Sequence, residues 1–297
     1  MIDPLNPLIK LPLAVLIGWS VLSHHVSMTE AQTPSPTPPV TNPTNLSGEE
    51  QFKNGSLTAA IQAWSRDIKN GKEIEKSLYN RSQAYILLRQ YELALQDLNQ
   101  LIKVQGVRTA TQVYIVRGVA LNELNRFNEA IEDFDQAEKL EPSVFVYTNR
   151  GIAYQRSGQL NKAFADLTKA VTFSPTPIAK LNLANVQIQL GQYTEVVSMM
   201  NQLLEKEKTF FPAYLVRSIG YYNLGQYEAA IRDCLFSLKI ASEQPEAYYY
   251  AGLSFAKLNR KDDASQNLVK AADLYLRLNQ SNNYRQVLEK MSELNLQ

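Results

Sequence analysis

Tyr147 to Pro175 reads YTNRGIAYQRSGQLNKAFADLTKAVTFSP, and its spacing decides the fold. Apolar and small residues recur at steps of three and four in two runs, Tyr147–Gly151–Tyr154 and Ala163–Leu167–Ala170. That period lays each run on one face of a helix. Gly158 between the runs permits a tight turn, and Pro175 closes the second helix. The stretch is a helix hairpin.

The hairpin resembles the tetratricopeptide repeat, a helix–turn–helix unit of about 34 residues with a W-x2-L-G-x2-Y…A-x3-F…P pattern. Counted from Val144, repeat positions 4, 8, 11, 20, 24, 27 and 32 fall on Tyr147, Gly151, Tyr154, Ala163, Leu167, Ala170 and Pro175. Position 7, usually Leu in that family, is Arg150 here. Working outward on position 20 gives Ala60, Ala94, Ala130, Ala163, Val196, Ala230 and Ala264, at steps of 34, 36, 33, 33, 34 and 34 residues. Unrelated helices would not keep that interval.

The turn position carries Gly55, Gly158, Gly191 and Gly225, with Asn125 and Asn259 as tolerable substitutes and Arg89 as a departure. Seven units follow: 41–74, 75–110, 111–143, 144–176, 177–210, 211–244 and 245–278, the first only partial. The resemblance implies an all-α, right-handed α-solenoid over residues 47–297. A further amphipathic segment, 284–294, has Tyr284, Val287, Leu288, Met291 and Leu294 on its apolar side and is read as the capping helix of an array that needs one wet end.

Unit 177–210 is the least regular, with Val196 where the others have Ala, the pair Met199–Met200, and no closing proline. Two readings stand: a core repacked around methionine, or a flexible joint.

Upstream, Leu11–Leu22 (LPLAVLIGWSVL) has the length of a signal-peptide core and falls short of the ~20 residues that span a bilayer. Residues 1–31 therefore read as an export signal, cleaved after Ala31 or retained as an anchor, although Lys10 is the lone positive charge ahead of the core and Asp3 weakens the pattern. A buried helix of the folded domain is the competing reading, against which Pro7 and Pro12 argue. Residues 32–46 contain QTPSPTPPVTNPTN, an uncharged Pro/Thr-rich linker that cannot bury a core and reads as extended. The expected location is the periplasm, a thylakoid lumen or the extracellular space, with membrane contact only through a retained first segment.

Thirty Lys and Arg balance 29 Asp and Glu, so no field gathers nucleic acid, and none is expected as a partner. One cysteine, Cys234, and two histidines, His24 and His25 in the export segment, leave no zinc set and no base for a Ser or Cys triad. The chain also lacks a Gly-rich phosphate loop. It reads as a non-catalytic scaffold without metal or small-molecule cofactor, binding a protein or peptide. Self-assembly through homo-oligomerisation is the alternative, and an accessory subunit of an enzyme a lesser one.

Arginine at position 7 (Arg81, Arg117, Arg150, Arg217) accompanies aspartate at position 23 (Asp97, Asp133, Asp166, Asp233) in the same four units. The other three units have neither. Pairing across units would leave Asp166 opposite Leu183, so an Arg–Asp bridge within each hairpin is expected, with a structural role.

The resemblance also implies that positions 2, 5, 6, 9, 12 and 13 line a concave groove. The candidate contacts there are Tyr79, Asn149, Asn182, Asn185, Tyr222, Tyr249 and Tyr250: amides for a peptide backbone and rigid rings for apolar area. Packing against the preceding unit is the competing role for each. No unit has Lys and Asn together at positions 5 and 9, so the carboxylate clamp of the family's chaperone-binding members is not expected.

Overall fold

A computed structural model describes residues 46–106 and 109–296. The export-like segment 1–31, and the 32–46 linker apart from Leu46, lie outside the described residues. Among the described residues every regular element is a helix. Residues 46–159 and 160–296 form two compact units.

The first unit contains α1 (Gly48–Lys53), α2 (Leu57–Lys69), α3 (Ile74–Leu87), α4 (Tyr91–Gln105), α5 (Thr111–Glu123), α6 (Phe127–Leu140) and α7 (Val144–Arg156). Consecutive helices pack on one another, and α5 also touches α3 and α7. α1 is short but well started: Ser47 and Glu50 form a reciprocal capping box. It closes the end of the core through Phe52, whose ring lies 5.7 Å from that of Trp64.

The core proper runs through Leu78, Leu98, Val116, Phe134 and Val146. α5 and α6 approach closely because position 118 is glycine. A Cβ there would stand 2.6 Å from Phe134 Cε1, where real side chains do not sit. Arg89 and Asn125 take the left-handed conformation at their turns, with φ of 58° and 60°. The arginine bears the steric cost that asparagine reduces.

The second unit contains α8 (Leu160–Phe173), α9 (Pro177–Gln189), α10 (Tyr193–Lys206), α11 (Phe211–Asn223), α12 (Tyr227–Ile240), α13 (Pro245–Lys257), α14 (Lys261–Arg277) and α15 (Ser281–Glu293). The small position-20 residues are sealed in both units: Ala60, Ala94, Ala130, Ala163, Val196, Ala230 and Ala264 each have 0% exposure. Val196 and its neighbour Val197 are accommodated by the next hairpin, since the open side of Gly220 faces them. α9 and α10 nevertheless make the loosest hairpin within this unit.

α15 begins at Ser281, ahead of the segment assigned to the cap. Val287 and Met291 are buried by it, but Leu288 is 42% exposed and does not belong to the buried stripe. The helix rolls so that only two of the five apolar residues face inward fully.

Candidate functional site: the inner faces of the first helices

In three of the hairpins the first helix carries two systems of side chains, one turned toward its own second helix and one at repeat positions 5, 6, 9 and 12. The first system is ionic. Arg81 Nε and Nη2 donate to the two carboxylate oxygens of Asp97 at 2.8 and 2.6 Å. Arg117 holds Asp133 in the same fork at 2.8 and 2.6 Å. Arg217 holds Asp233 at 2.7 and 2.8 Å. These bridges join α3 to α4, α5 to α6, and α11 to α12. Arg150 belongs to the first unit and Asp166 to the second, so that fourth bridge remains an expectation.

The third arm of each fork reaches back to the preceding hairpin, a partnership that reading within one repeat does not reveal. Arg81 Nη1 donates to Ser65 Oγ at 2.7 Å, Arg117 Nη1 to Asn99 Oδ1 at 2.9 Å, and Arg217 Nη1 to Asn201 Oδ1 at 2.7 Å. Arg150 Nη1 reaches Asp135 Oδ1 at 2.6 Å and also donates to Glu138. Ser65, Asn99, Asp135 and Asn201 all occupy position 25 of the unit ahead. Where the next unit has no arginine, at Leu183 and Ala251, position 25 holds Thr168 and Leu235. That alternation was the signal available in the sequence.

Tyrosines flank the guanidinium groups, as at Arg217, whose carbon lies 5.3 Å from the Tyr214 ring centre and 5.7 Å from that of Tyr221. Burial lifts the Asp133 and Asp233 carboxyls above their usual range even with an arginine in place. The hydrogen bonds to Asp97 and Asp133 hold the Arg81 and Arg117 guanidiniums above theirs. Each of these carboxylates is buried behind its arginine, and Asp133 has 3% exposure.

The second system is uncharged. In the first unit, positions 5, 6, 9 and 12 hold Tyr79, Asn80, Gln83 and Ile86 on α3; Ile115, Val116, Val119 and Asn122 on α5; and Thr148, Asn149, Ile152 and Gln155 on α7. In the second they hold Leu181, Asn182, Asn185 and Ile188 on α9; Leu215, Val216, Ile219 and Tyr222 on α11; and Tyr249, Tyr250, Leu253 and Ala256 on α13. Not one is ionisable at neutral pH. Burial pushes the Tyr79 phenol up to about 12. A recess lined by Asn125, Arg126, Phe127, Glu129, Arg156 and Ser157 opens at the hairpin turns, where Arg156 Nη1 donates to Glu123 at 2.8 Å.

Accessibility divides the seven candidate contacts. Tyr79 and Tyr222 are partly exposed. Asn149, Asn182, Asn185, Tyr249 and Tyr250 are buried, at 3%, 5%, 5%, 1% and 2% exposure. These five side chains are thus covered by the protein itself, as the packing reading of each allows. The two C-terminal tyrosines stand edge-on 5.4 Å apart, and Tyr250 meets Tyr222 edge-on at 5.7 Å, an aromatic cluster that shields its own members. Asn149 Nδ2 is turned onto its own helix, donating to Phe145 O at 2.8 Å. Asn182 Nδ2 and Asn185 Oδ1 are buried without a hydrogen-bond partner among the described residues.

The family model of the tetratricopeptide repeat matches residues 75–106, 111–144 and 146–177. Over 98 residues the chain is 30% identical to RNA polymerase II-associated protein 3 of Mus musculus, a match to 33% of this chain and 14% of that protein. The chain thus spans about a seventh of the length of that relative. Among solved structures it is similar to a tetratricopeptide repeat protein from Parabacteroides merdae, with a TM-score of 0.67 and 16% identity over 81% of this chain and 96% of the other. It is also similar to the C-terminal part of a repeat-containing protein from Cytophaga hutchinsonii, with a TM-score of 0.59 and 17% identity over 76% and 93% of the two chains. These likenesses are likenesses of fold.

Proposed function

We propose that this chain, three segments of which match the tetratricopeptide repeat, is a scaffold that holds a polypeptide partner against the inner faces of its first helices. The observation that carries this reading is the absence of charge from positions 5, 6, 9 and 12 of six successive first helices, beside ion pairs elsewhere on three of those helices. Such a surface offers apolar area and amide groups, the complement of an uncharged peptide or of the apolar side of a helix. Among the positions expected to line the groove, charge occurs only at 2 and 13, as Lys76, Glu123, Arg156, Glu246 and Lys257. The apolar Leu11–Leu22 stretch supports an envelope location, with the Pro/Thr-rich segment as a spacer.

Affinity capture with the full chain tests the scaffold reading. Ile152→Glu and Tyr222→Glu each place a charge at a partly exposed inner position. Val269→Glu places one at a residue 51% exposed on a second helix. The expected result is loss of the captured partner in the first two and retention in the third, with helical content unchanged in all. Equal capture by all three overturns the reading.

Self-association is supported by a separate observation, the exposed Leu235, Phe236 and Ile240 on α12, at 48%, 42% and 41%. Light scattering decides it: a mass that stays monomeric across a hundredfold range of concentration removes this alternative.

A further inference from the structure

Two asparagines of the first unit are each followed by glycine at an exposed turn, Asn54–Gly55 after α1 and Asn70–Gly71 after α2. A glycine has no side chain to hinder its backbone nitrogen, which reaches the asparagine Cγ once such a turn opens. In the closed turn it does not. Gly55 N donates to Phe52 O at 3.0 Å and Ser56 N to Gln51 O at 2.8 Å. Gly71 N donates to Ile68 O at 3.1 Å and Lys72 N to Asp67 O at 2.8 Å. Asn54 and Asn70 have ψ of 4° and 5°. Ring closure needs the glycine nitrogen eclipsed with Cβ, a rotation of roughly 120° from there.

The two turns differ in what their opening costs. Asn70 ends the thirteen residues of α2, whose Ala60, Ala63 and Trp64 are buried and whose Ser65 accepts from Arg81 of α3 at 2.7 Å. Asn54 ends a helix of only six residues, too short to hold itself. The seat of that helix is poor as well. Gln51 is 6% exposed, yet its Oε1 has no hydrogen-bond partner among the described residues. Glu49 meets Lys76 of α3 at 2.6 Å, but the side chains are 43% and 55% exposed, so the pair adds little. The packing of Phe52 on the Ala60, Trp64 and Ala84 cluster carries the attachment. Local opening therefore frees the first turn far more often than the second.

We propose that Asn54 is a site of spontaneous deamidation, and that the product keeps α1 off the array. In the opened turn the Gly55 nitrogen gives up its proton to hydroxide and bonds to Asn54 Cγ. The side-chain nitrogen takes up a proton and leaves as ammonia. Water then adds to one carbonyl of the cyclic imide and breaks that carbonyl's bond to nitrogen. Opening at Cγ leaves aspartate. Opening at the main-chain carbonyl leaves isoaspartate, whose main chain is longer by one methylene. The added atom upsets the spacing of the bonds to Phe52 and Gln51, and either product sets a negative charge at the C-terminal end of α1. Trp64, 4% exposed against Phe52, is then uncovered.

The test follows both sites in the folded full chain by peptide mapping, since each conversion exchanges an NH for an oxygen. Asn54 is expected to convert at least about tenfold faster than Asn70 in the folded chain, and within about twofold of it in denaturing urea, where the turns no longer differ. Equal rates in the folded chain, or an intact Asn54, overturn the proposal. Phe52→Ala loosens α1 and leaves the glycine turn alone. It should speed Asn54 several-fold with Asn70 unaffected, and an unchanged Asn54 rate overturns the proposal as well.

The chain's two tryptophans are Trp19 and Trp64, so in a Trp19→Phe background emission reports Trp64 alone. That emission should move to longer wavelength in step with Asn54 conversion. It should stay in place in Asn54→Gln, whose longer side chain closes the ring far more slowly. Conversion without a shift overturns the claim that α1 is held off.

Discussion

Cys234 and Tyr79 show how a repeat core treats a group that could ionise. The thiol is fully buried, and its value is pushed from 9.0 to about 12, desolvation being the main cause. The Tyr79 phenol moves from 10.0 to about 12 for the same reason. In both, the folded value lies above the unfolded one, so their contribution to stability is complete below the unfolded value and is lost as pH rises toward the folded one. Thermal unfolding should therefore hold steady to about pH 9 and decline toward pH 12. Cys234→Ala and Tyr79→Phe should each flatten part of that decline, and a parallel decline in both variants would contradict the assignment. The cysteine was legible as a core residue from its register alone. The burial of Tyr249, Tyr250 and Asn149 was not, because periodicity tells which face a residue occupies and says nothing of what covers that face.

At the scale of the element, the arginine forks divide hairpins that are stitched from those that are merely stacked. Asp133 has 3% exposure, so Arg117→Ala leaves a carboxylate buried without its partner and should cost about 3 kcal/mol. Replacing both members with leucine should recover most of that loss. By contrast, Arg126 and Glu129 pair on the surface, with side chains 47% and 52% exposed, and breaking them should change stability by less than about 1 kcal/mol. Urea unfolding of these three variants measures both.

The α9–α10 hairpin has Leu183 and Met199 where the stitched units have Arg and Asp, and it is the loosest of its unit. Its Met200 is sealed all the same, at 0% exposure. Amides between Leu183 and Leu204 should exchange hydrogen sooner than those of α11 and α12, and equal protection would leave only the repacked-core reading. The bridges within a hairpin could be read from register, since positions 7 and 23 co-occur in four units and are both missing from three. Position 25 escaped notice because Ser, Asn and Asp on a second helix look like ordinary solvated residues until the guanidinium is seen crossing to them.

For the whole molecule, the near balance of 30 basic and 29 acidic residues is distributed unevenly by depth. Charge gathers in the Arg–Asp forks and on the outside, while positions 5, 6, 9 and 12 of the first helices have none and positions 2 and 13 carry Lys76, Glu123, Arg156, Glu246 and Lys257. Association with a partner on that surface should be nearly indifferent to ionic strength, capture changing by less than about twofold between 0.05 and 0.5 M salt. A steep fall would mean that an outer, charged surface does the binding. The repeat interval made the helical architecture plain from the sequence. The character of the inner wall was only half plain: its neutrality could be read, but the unanswered amides at Asn122, Gln155, Asn182 and Asn185 needed coordinates.

Each fork reads the module ahead of it, and this gives the array a grammar. The hairpin beginning at Phe211 presents Arg217 and requires an amide like Asn201 upstream, whereas the one beginning at Pro245 presents Ala251 and follows Leu235. Exchange those two modules and the Arg217 guanidinium meets Val269 while Asn201 faces the methyl group of Ala251. The hairpins are not interchangeable bricks: their succession is written into the contacts between neighbours, so a duplication or deletion of one module damages the seam as well as the length.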